Sequence, residues 1–342
     1  MTRALIVHRA GPGTSVQDRG RPGFLAQGLS RGGAADRLAL AEGAALLRQD
    51  SQLAALELVG TGGDFEVTAD TRIALTGAPM RATIDGAPIV WNASHLLPQG
   101  ARLSIGAART GNYGYLHLGG GLDLPTLLTA RSAHLAAGLN GPVQAGSRLP
   151  LGPDAKPDQT GLTLGTNERF DGGTVRFVAG PQTPLFDASE IDRFTAMGFR
   201  RDTRGNRMGV KLFCDGAGFH SDAGLSVLSE VITPGDIQIT GDGSPFVLLG
   251  ECQTTGGYPR IGSVLPCDLP RVAQARPGDI LRFSLIPLAE AVEVERREDT
   301  RRKTLRNQLR PLIRDPHNIH DLLSYQLISG VTAGDDLERD IP

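Results

Sequence analysis

The fold is decided by residues 55–91, which read ALELVGTGGDFEVTADTRIALTGAPMRATIDGAPIVW. Short apolar and β-branched runs alternate here with glycine, proline and aspartate, at 55–59, 65–68, 72–76, 81–84 and 89–91. Asp85-Gly86 lies between two of these runs and is a residue pair that favours a tight hairpin turn. Short strands at even spacing predict a barrel or sandwich rather than alternating strand–helix units.

The same pattern continues on both sides of this stretch. Further strands are predicted at 2–8, 102–105, 113–118, 175–178, 237–240, 246–249 and 280–285, and helices at 34–48 and 189–197. We predict a mainly β architecture in two parts, with few short helices. The predicted order is an N-terminal β-rich domain 1–150, a Pro- and Gly-broken linker 151–173, a second β domain 174–287 and a charged helical tail 288–342.

The tail is rich in Glu, Arg and Lys up to about residue 314. We interpret it as a solvated helix face, with docking of a partner or of an anionic surface as the alternative. Residues 321–331 are apolar enough to pack on the body or on another protein chain.

Composition narrows the class of protein. The chain has 342 residues, enough for about two domains, and its 45 glycines and 22 prolines favour turn-rich β structure. A net charge of −2 and 5% aromatic residues argue against nucleic-acid binding. No apolar run is long enough to span a membrane, and the N-terminus lacks a signal-peptide core. Three scattered cysteines favour reduced thiols and a cytoplasmic location.

Several common catalytic motifs are absent or incomplete. The sequence has no P-loop, and Gly11-Pro12-Gly13 fails the dinucleotide pattern at Val16. Residues 28–32 (GLSRG) match the nucleophile-elbow pattern around Ser30, but no buried parallel strand precedes them, so a tight glycine loop is the favoured interpretation. The spacing of histidines and cysteines predicts no metal site. Cys252 is expected to be a buried small hydrophobe rather than a reactive thiol.

Two polar, glycine-containing clusters are the candidates for a site. Residues 250–260 (GECQTTGGYPR) follow the apolar strand predicted at 246–249 and combine backbone freedom with neutral hydrogen-bonding groups. Such a loop on a rigid strand suits a planar, polar small molecule, although a plain glycine turn is the alternative. Residues 204–209 (RGNRMG) add an amide and guanidinium groups, which are suited to a carboxylate or phosphate, and an exposed basic turn is the alternative there.

These clusters carry a family resemblance. QTTGGYPRIG (253–262), DLPRVAQ (268–274) and RPGD (276–279) resemble the biotin-dependent carboxyltransferase family, also called allophanate hydrolase subunit 2. Other segments agree with it in order: GPGTSVQDRGRPG (11–23), Glu57, LTGA (75–78), GGGLDLP (119–125), GPQ (180–182) and NRMG (206–209). Two stretches depart from the family. Before the first helix the family usually has Pro-Ser-Gly-Ala-Met-Asp, and SRGGAAD (30–36) keeps the Gly, Ala and Asp of that motif but not its Ser and Met. Glu251-Cys252 replaces an Asp-x pair.

The family includes three kinds of protein. One is the C subunit of 5-oxoprolinase, another is an antagonist of a histidine-kinase inhibitor, and the third is half of the carboxyltransferase domain of urea amidolyase. The resemblance implies a cyclophilin-like β-barrel and a site shared with an allophanate hydrolase subunit 1-type chain, which is the B subunit in the 5-oxoprolinase branch. There the pair activates 5-oxoproline with ATP and magnesium, and the A subunit opens the ring to glutamate. In the urea amidolyase branch the pair moves a carboxyl group from carboxybiotin to urea.

Both reactions need an amide substrate held and its developing oxyanion stabilised. With the resemblance, Asn206, Gln253 and Thr254 are the predicted catalytic residues; Asn206 and Gln253 would bind an amide edge, and Thr254 would line the oxyanion or phosphate position. The predicted substrate-binding residues are Arg207, Met208, Thr255, Gly256, Gly257 and Tyr258. No general base is evident on this chain.

We therefore expect the C subunit of a hetero-oligomeric, ATP-dependent 5-oxoprolinase, inactive alone. One alternative is a component of a carboxyltransferase that works with biotin on a separate carrier, because no Met-Lys carrier motif occurs here. The other is a non-enzymatic regulator that antagonises a histidine-kinase inhibitor.

Overall fold

The computed structural model describes residues 3–165, 168–222, 224 and 227–313. The first lobe contains β1 (Ala4–Ala10), β2 (Ser15–Gln17), α1 (Arg37–Leu46), β3 (Ala55–Val59), β4 (Gly63–Val67), β5 (Thr71–Gly77), β6 (Met80–Ile84), β7 (Ala87–Ile89), β8 (Ser94–Leu97), β9 (Leu103–Ala108), β10 (Tyr113–Leu118) and β11 (Arg148–Pro150). The rest contains β12 (Leu162–Thr163), β13 (Gly173–Val178), α2 (Ala188–Ala196), β14 (Gly198–Gly205), β15 (Gly209–Phe213), β16 (Glu230–Val231), β17 (Asp236–Ile239), β18 (Pro245–Leu248), β19 (Thr255–Gly256), β20 (Arg260–Val264), α3 (Leu269–Gln274), β21 (Ile280–Leu285), α4 (Leu288–Lys303) and β22 (Arg310–Pro311).

The first lobe is a sandwich of two sheets with orders β11-β1-β4-β9-β6-β7 and β2-β3-β10-β5-β8. Their facing side chains form one buried core, with Leu5 and Phe65 from the first sheet and Leu56 and Leu116 from the second. The predicted hairpin at Asp85-Gly86 is confirmed, since both residues have positive φ and the flanking strands pair across them. Burial of apolar area between the sheets is the main stabilising contribution to this lobe.

The second lobe is a closed barrel in the order β13-β20-β17-β18-β15-β14-β21, completed by a parallel pairing of β13 with β21. Its centre is filled by buried phenylalanines, and Phe194 of α2 lies 4.8 Å from Phe199 and 5.1 Å from Phe283 between ring centroids. Phe194 also meets Phe177 and Phe219 edge to face, an arrangement that aromatic rings prefer. The prediction of a mainly β fold with few short helices is confirmed, and its second part is a barrel.

The C-terminal segment joins the two lobes. Helix α4 packs Ala291 and Val294 against Leu265 of the barrel, and the 3-10 turn after it inserts Leu305 into a buried cluster with Leu38 of α1. The prediction of a helical tail over 288–342 is therefore wrong for residues 304–313, because the α-helix ends at Lys303, Leu305 turns inward in a 3-10 turn, and β22 follows. The predicted apolar segment 321–331 lies outside the described residues.

Polar side chains fix the orientation of the lobes. The amide of Gln274 in α3 donates to Asp36 at 2.8 Å, and its oxygen accepts from the backbone N–H groups of Asn112 and Tyr113. Arg169 bonds Asp36 at 2.6 Å. All these groups lie between the lobes, so their hydrogen bonds fix the position of one lobe, and of its loops, relative to the other.

Candidate functional site

The two loops singled out in the sequence lie side by side at the lobe junction. The turn 206–208 joins β14 to β15, and its carbonyls accept from the loop after β18: Leu249 N–H donates to Met208 at 2.9 Å, and Glu251 N–H donates to Arg207 at 2.9 Å. The predicted catalytic residues Asn206 and Gln253 therefore lie on adjacent loops, and both are exposed.

A glycine loop of the first lobe covers the base of these loops. Gly32 N–H donates to the carbonyl of Gly250 at 2.7 Å. A Cβ on Gly250 would lie 3.2 Å from the Gly32 oxygen, closer than ordinary packing allows. The site is thus built from both lobes, although its predicted residues all come from the second.

Arg207 is buried and bonds to protein groups. Its Nε donates to Glu251 at 2.5 Å, and its terminal nitrogens donate to Glu57 and to the carbonyl of Gly33. Burial alone would lower the pKa of the guanidinium, but Glu57 and Glu251 raise it above its ordinary value. The predicted pairing with a substrate carboxylate stays a prediction; in this structure the protein's own carboxylates occupy that position.

Glu57 connects this ion pair to the sandwich. Its Oε2 accepts from the Tyr115 hydroxyl at 2.6 Å and from Ala35 N–H at 2.9 Å. The same hydroxyl accepts from Asp36 N–H at 2.8 Å. Burial and the nearby Glu57 raise the pKa of Tyr115 well above its ordinary value, so the hydroxyl remains a donor. The sequence signal for this network was a glutamate inside the apolar run 55–59, which the family resemblance included but to which no role was assigned.

Ser30 has a histidine partner, but the proton is on the wrong nitrogen for catalysis. Its hydroxyl lies 3.0 Å from His134 Nε2, and His134 Nδ1 accepts from Ala137 N–H at 3.2 Å. Because Nδ1 is an acceptor, the neutral ring carries its proton on Nε2, which donates to Ser30 and cannot remove its proton. Burial lowers the pKa of His134 and favours this neutral form. The glycine-loop interpretation of residues 28–32 agrees with this geometry.

Backbone hydrogen bonds hold one side of the segment 254–257. Thr255 and Gly256 form β19 against β16, the Thr254 carbonyl accepts from Ile232 N–H at 3.1 Å, and the Gly257 carbonyl accepts from Val227 N–H at 2.8 Å. Thr254 is half-buried and Thr255 is exposed, which leaves one face of the loop open beside Gln253.

An apolar rim borders this open face. Leu228 is 86% exposed, Val231 is 56% exposed and Tyr258 is 45% exposed. Val231 pairs with Thr255 between β16 and β19, and Tyr258 lies two residues after β19. Large apolar side chains left in water beside polar loops are typical of a surface that another molecule covers.

Cys252 lies in a buried apolar cluster with Ile232 and Leu248, as predicted. Burial, and then Asp236, raise the pKa of its thiol to about 12, so a nucleophilic thiolate is disfavoured.

Metal-binding clusters and membrane-spanning helices are both absent from the described ranges. These ranges contain no group of three or more His, Cys, Asp or Glu side chains placed to hold a metal ion. Nor do they contain a helix both long and apolar enough to cross a membrane.

Comparison with known proteins identifies the family. Residues 27–285 match the model of the carboxyltransferase domain, subdomains A and B. The chain is 33% identical over 303 residues to the C subunit of 5-oxoprolinase from Escherichia coli (strain K12), covering 87% of this chain and 96% of that protein. It is 26% identical to urea amidolyase of Lachancea kluyveri over 88% of this chain but 18% of that protein. The crystal structure of K. lactis urea amidolyase superposes with a TM-score of 0.78 at 26% identity, over 92% of this chain and 21% of that one. The chain therefore belongs to the carboxyltransferase-domain family of subdomains A and B.

Proposed function

We propose that this chain is the C subunit of an ATP-dependent 5-oxoprolinase, which converts 5-oxoproline to glutamate and works with an allophanate hydrolase subunit 1-type partner. The observation that carries the proposal is the similarity to the C subunit of 5-oxoprolinase along 96% of that relative's length. The similarity to urea amidolyase involves less than a fifth of the longer protein. The relative's name also marks it as one component of an enzyme, which supports a role within a complex.

The open loops suit a lactam substrate. The ring of 5-oxoproline presents a carbonyl oxygen and an N–H along one edge, and the exposed amides of Asn206 and Gln253 offer both a donor and an acceptor to such an edge. We propose that these amides position the lactam while its oxygen is phosphorylated by ATP, which enters with magnesium as a co-substrate. Thr254 and Thr255 would donate hydrogen bonds to the charge that develops there.

The apolar rim supports the requirement for a partner. Leu228, Val231 and Tyr258 lie next to the loops that would hold the substrate. The B subunit of 5-oxoprolinase, seated on this rim, would exclude water from the loops and could supply the general base that this chain lacks. The A subunit would act afterwards, when the activated ring is opened.

The test is 5-oxoproline-dependent release of ADP by this chain co-purified with its partner. We expect turnover only when both chains are present, and a fall of about 100-fold or more in Gln253→Ala, because a lactam that is no longer held in position reacts more slowly by about this factor. Gln99→Ala, an exposed glutamine on a turn of the first lobe, is the matched control. A stable pair that binds 5-oxoproline but releases no ADP would contradict the proposed reaction.

Urea amidolyase similarity supports a second candidate, carboxyl transfer from biotin on a separate carrier to urea or a similar amide. Transfer of labelled carboxyl from carboxybiotin to urea by the same pair, without any 5-oxoproline turnover, would favour it. A pair that forms but catalyses neither reaction would favour the regulatory alternative, antagonism of a histidine-kinase inhibitor.

A further inference from the structure

A cleft that is not lined by the loops at 206–208 and 250–258 lies between α1, the end of α4 and residues 153–156. Its volume is about 940 Å³. Among the described residues, nine arginine and lysine side chains and three aspartates line it. For a chain with a net charge of −2, this is a marked local concentration of positive charge.

The aspartates of the cleft do not balance this charge. Asp154 accepts two hydrogen bonds from Arg72, at 2.8 and 2.5 Å, and Asp299 pairs with Lys303 at 2.6 Å. Asp50 accepts from the backbone N–H of Gln52. These contacts use two of the cations and leave the other cations of the cleft in excess.

The excess is concentrated in four arginines: Arg19, Arg31, Arg37 and Arg302. Within the described ranges, no hydrogen bond or ion pair holds the Arg37 guanidinium, and the nearest ion-pair partner of Arg302 is Glu295 at 3.7 Å. Arg31 Nε donates to the Arg19 carbonyl and Arg19 donates to a serine hydroxyl, so neither meets a carboxylate.

These guanidiniums are close enough to repel one another. Burial, and then Arg31, Arg302 and Arg19, lower the pKa of Arg37 to about 10. Burial and then Arg19 lower the pKa of Arg31. Like charges gathered in a partly buried cleft destabilise the folded chain unless an anion neutralises them.

We propose that this cleft binds a small molecule carrying phosphate groups. Guanidinium forks match pairs of phosphate oxygens, and several forks facing one space suit a ligand with more than one negative charge. The volume is in the range of pockets that hold nucleotide-sized ligands. Leu40 and Ala44 of α1 give the cleft an apolar wall for the uncharged part of such a molecule.

The cleft is connected to the loops of the proposed reaction by a short segment. Arg31 lines the cleft, while the next two residues, Gly32 and Gly33, bond Gly250 and Arg207. The proposal does not rest on the 5-oxoprolinase reaction, since it follows from charge and shape alone, and its test needs neither the partner nor 5-oxoproline.

The test is calorimetric titration and thermal unfolding of the full chain with tripolyphosphate, ATP, inorganic phosphate and citrate at matched ionic strength. We expect saturable binding of tripolyphosphate or ATP, and binding at least about 30-fold weaker in Arg31→Gln/Arg37→Gln, because each lost charged contact weakens binding several-fold. Arg200→Gln/Arg296→Gln, which removes two exposed arginines outside the cleft, is the matched control. ATP binding more tightly than tripolyphosphate would identify a nucleotide as the source of the phosphates, and equal binding would identify the phosphates alone.

Thermal unfolding without ligand separates a binding role from a structural one. Removing a repelled charge should leave Arg37→Gln at least as stable as the parent chain, whereas a structural arginine would lower the unfolding temperature. If the double variant does not fold, Arg302→Gln on α4 replaces it, with an expected loss of about tenfold in affinity. The proposal is overturned if no phosphate compound binds, if citrate binds as tightly as tripolyphosphate, or if the arginine variants bind as the parent does.

Discussion

Arg207→Met should destabilise the chain strongly, because it leaves two buried carboxylates without their cation. Glu57 would keep its bonds from Tyr115 at 2.6 Å and Ala35 at 2.9 Å, while Glu251 would keep one from Ala136 at 2.9 Å. Breaking a buried ion pair from one side lowers the free energy of unfolding by about 3–5 kcal/mol, and we expect about 4 kcal/mol here. At a typical unfolding entropy per residue, a chain of 342 residues would unfold about 6 °C lower.

The assay is urea and thermal unfolding, with Arg204→Met as the matched control. Arg204 lies three positions earlier and is exposed, and among the described residues its ion-pair partner is Asp202 at the surface, so its loss should change the free energy of unfolding far less than the loss of Arg207. A second variant tests the cause: Arg207→Met/Glu57→Gln/Glu251→Gln removes the whole charged group and should recover most of the lost stability.

The reasoning would be refuted by Arg207→Met unfolding within about 1 kcal/mol of the parent, or by the triple variant being no more stable than the single one. A stable Arg207→Met that had lost only turnover would return Arg207 to the substrate-binding role predicted from the sequence.

Three further predictions concern other parts of the molecule. Asn206→Ala removes the exposed turn hydrogen bond that Met208 N–H donates to Asn206 Oδ1 at 2.8 Å, so it should lower the unfolding temperature only slightly. It should lower 5-oxoproline turnover of the complex by about tenfold or more, because the lactam is less well positioned, and unchanged turnover would remove Asn206 from the site. Leu305→Ala should lower the free energy of unfolding by about 2–4 kcal/mol, against a small effect for the exposed Leu288→Ala, and equal effects would show that α4 is not anchored through Leu305. Burial lowers the pKa of His117 to about 3. The stability that the neutral ring contributes to the fold is therefore present above pH 6.5 and is lost as the pH falls towards 3. Between pH 7 and pH 5 the free energy of unfolding should therefore fall by about 2 kcal/mol less in His117→Gln than in the parent chain. Urea unfolding measures both, and identical pH curves would contradict this prediction.

Strands with a strong apolar pattern were predictable from the sequence, and less regular ones were not. Residues 55–59 and 113–118 were predicted with their observed bounds, because both runs are buried and apolar. β14 was missed, since Gly198–Gly205 reads GFRRDTRG and has largely exposed side chains; its place is decided by pairing with β15 and β21. Partner strands distant in sequence impose such an element, and local propensity does not show them.

The candidate site, like the fold, was predictable from the sequence only in part. Local composition marked the loops at 204–209 and 250–260, and the structure brings them together. The ion pair between Glu57 and Arg207 joins residues 150 positions apart, and no local pattern reports such a contact. Sequence reasoning consequently assigned Arg207 to a ligand, because its protein partners become visible only once the lobes are packed.

The separation of Glu57 and Arg207 in the sequence has a consequence for folding during synthesis. The sandwich is complete when β11 leaves the ribosome, yet Glu57 then lacks the cation that neutralises it, since Arg207 has not been made. At ordinary elongation rates the 57 residues from Pro150 to Arg207 take roughly 3–11 s to appear. Leu305 follows later still, so the apolar surface of α1 stays uncovered until that residue has been made. The nascent first lobe therefore has an unneutralised Glu57 for roughly 3–11 s and an uncovered apolar face on α1 for roughly 8–31 s after β11 is made, and a chaperone would find most to bind during this time.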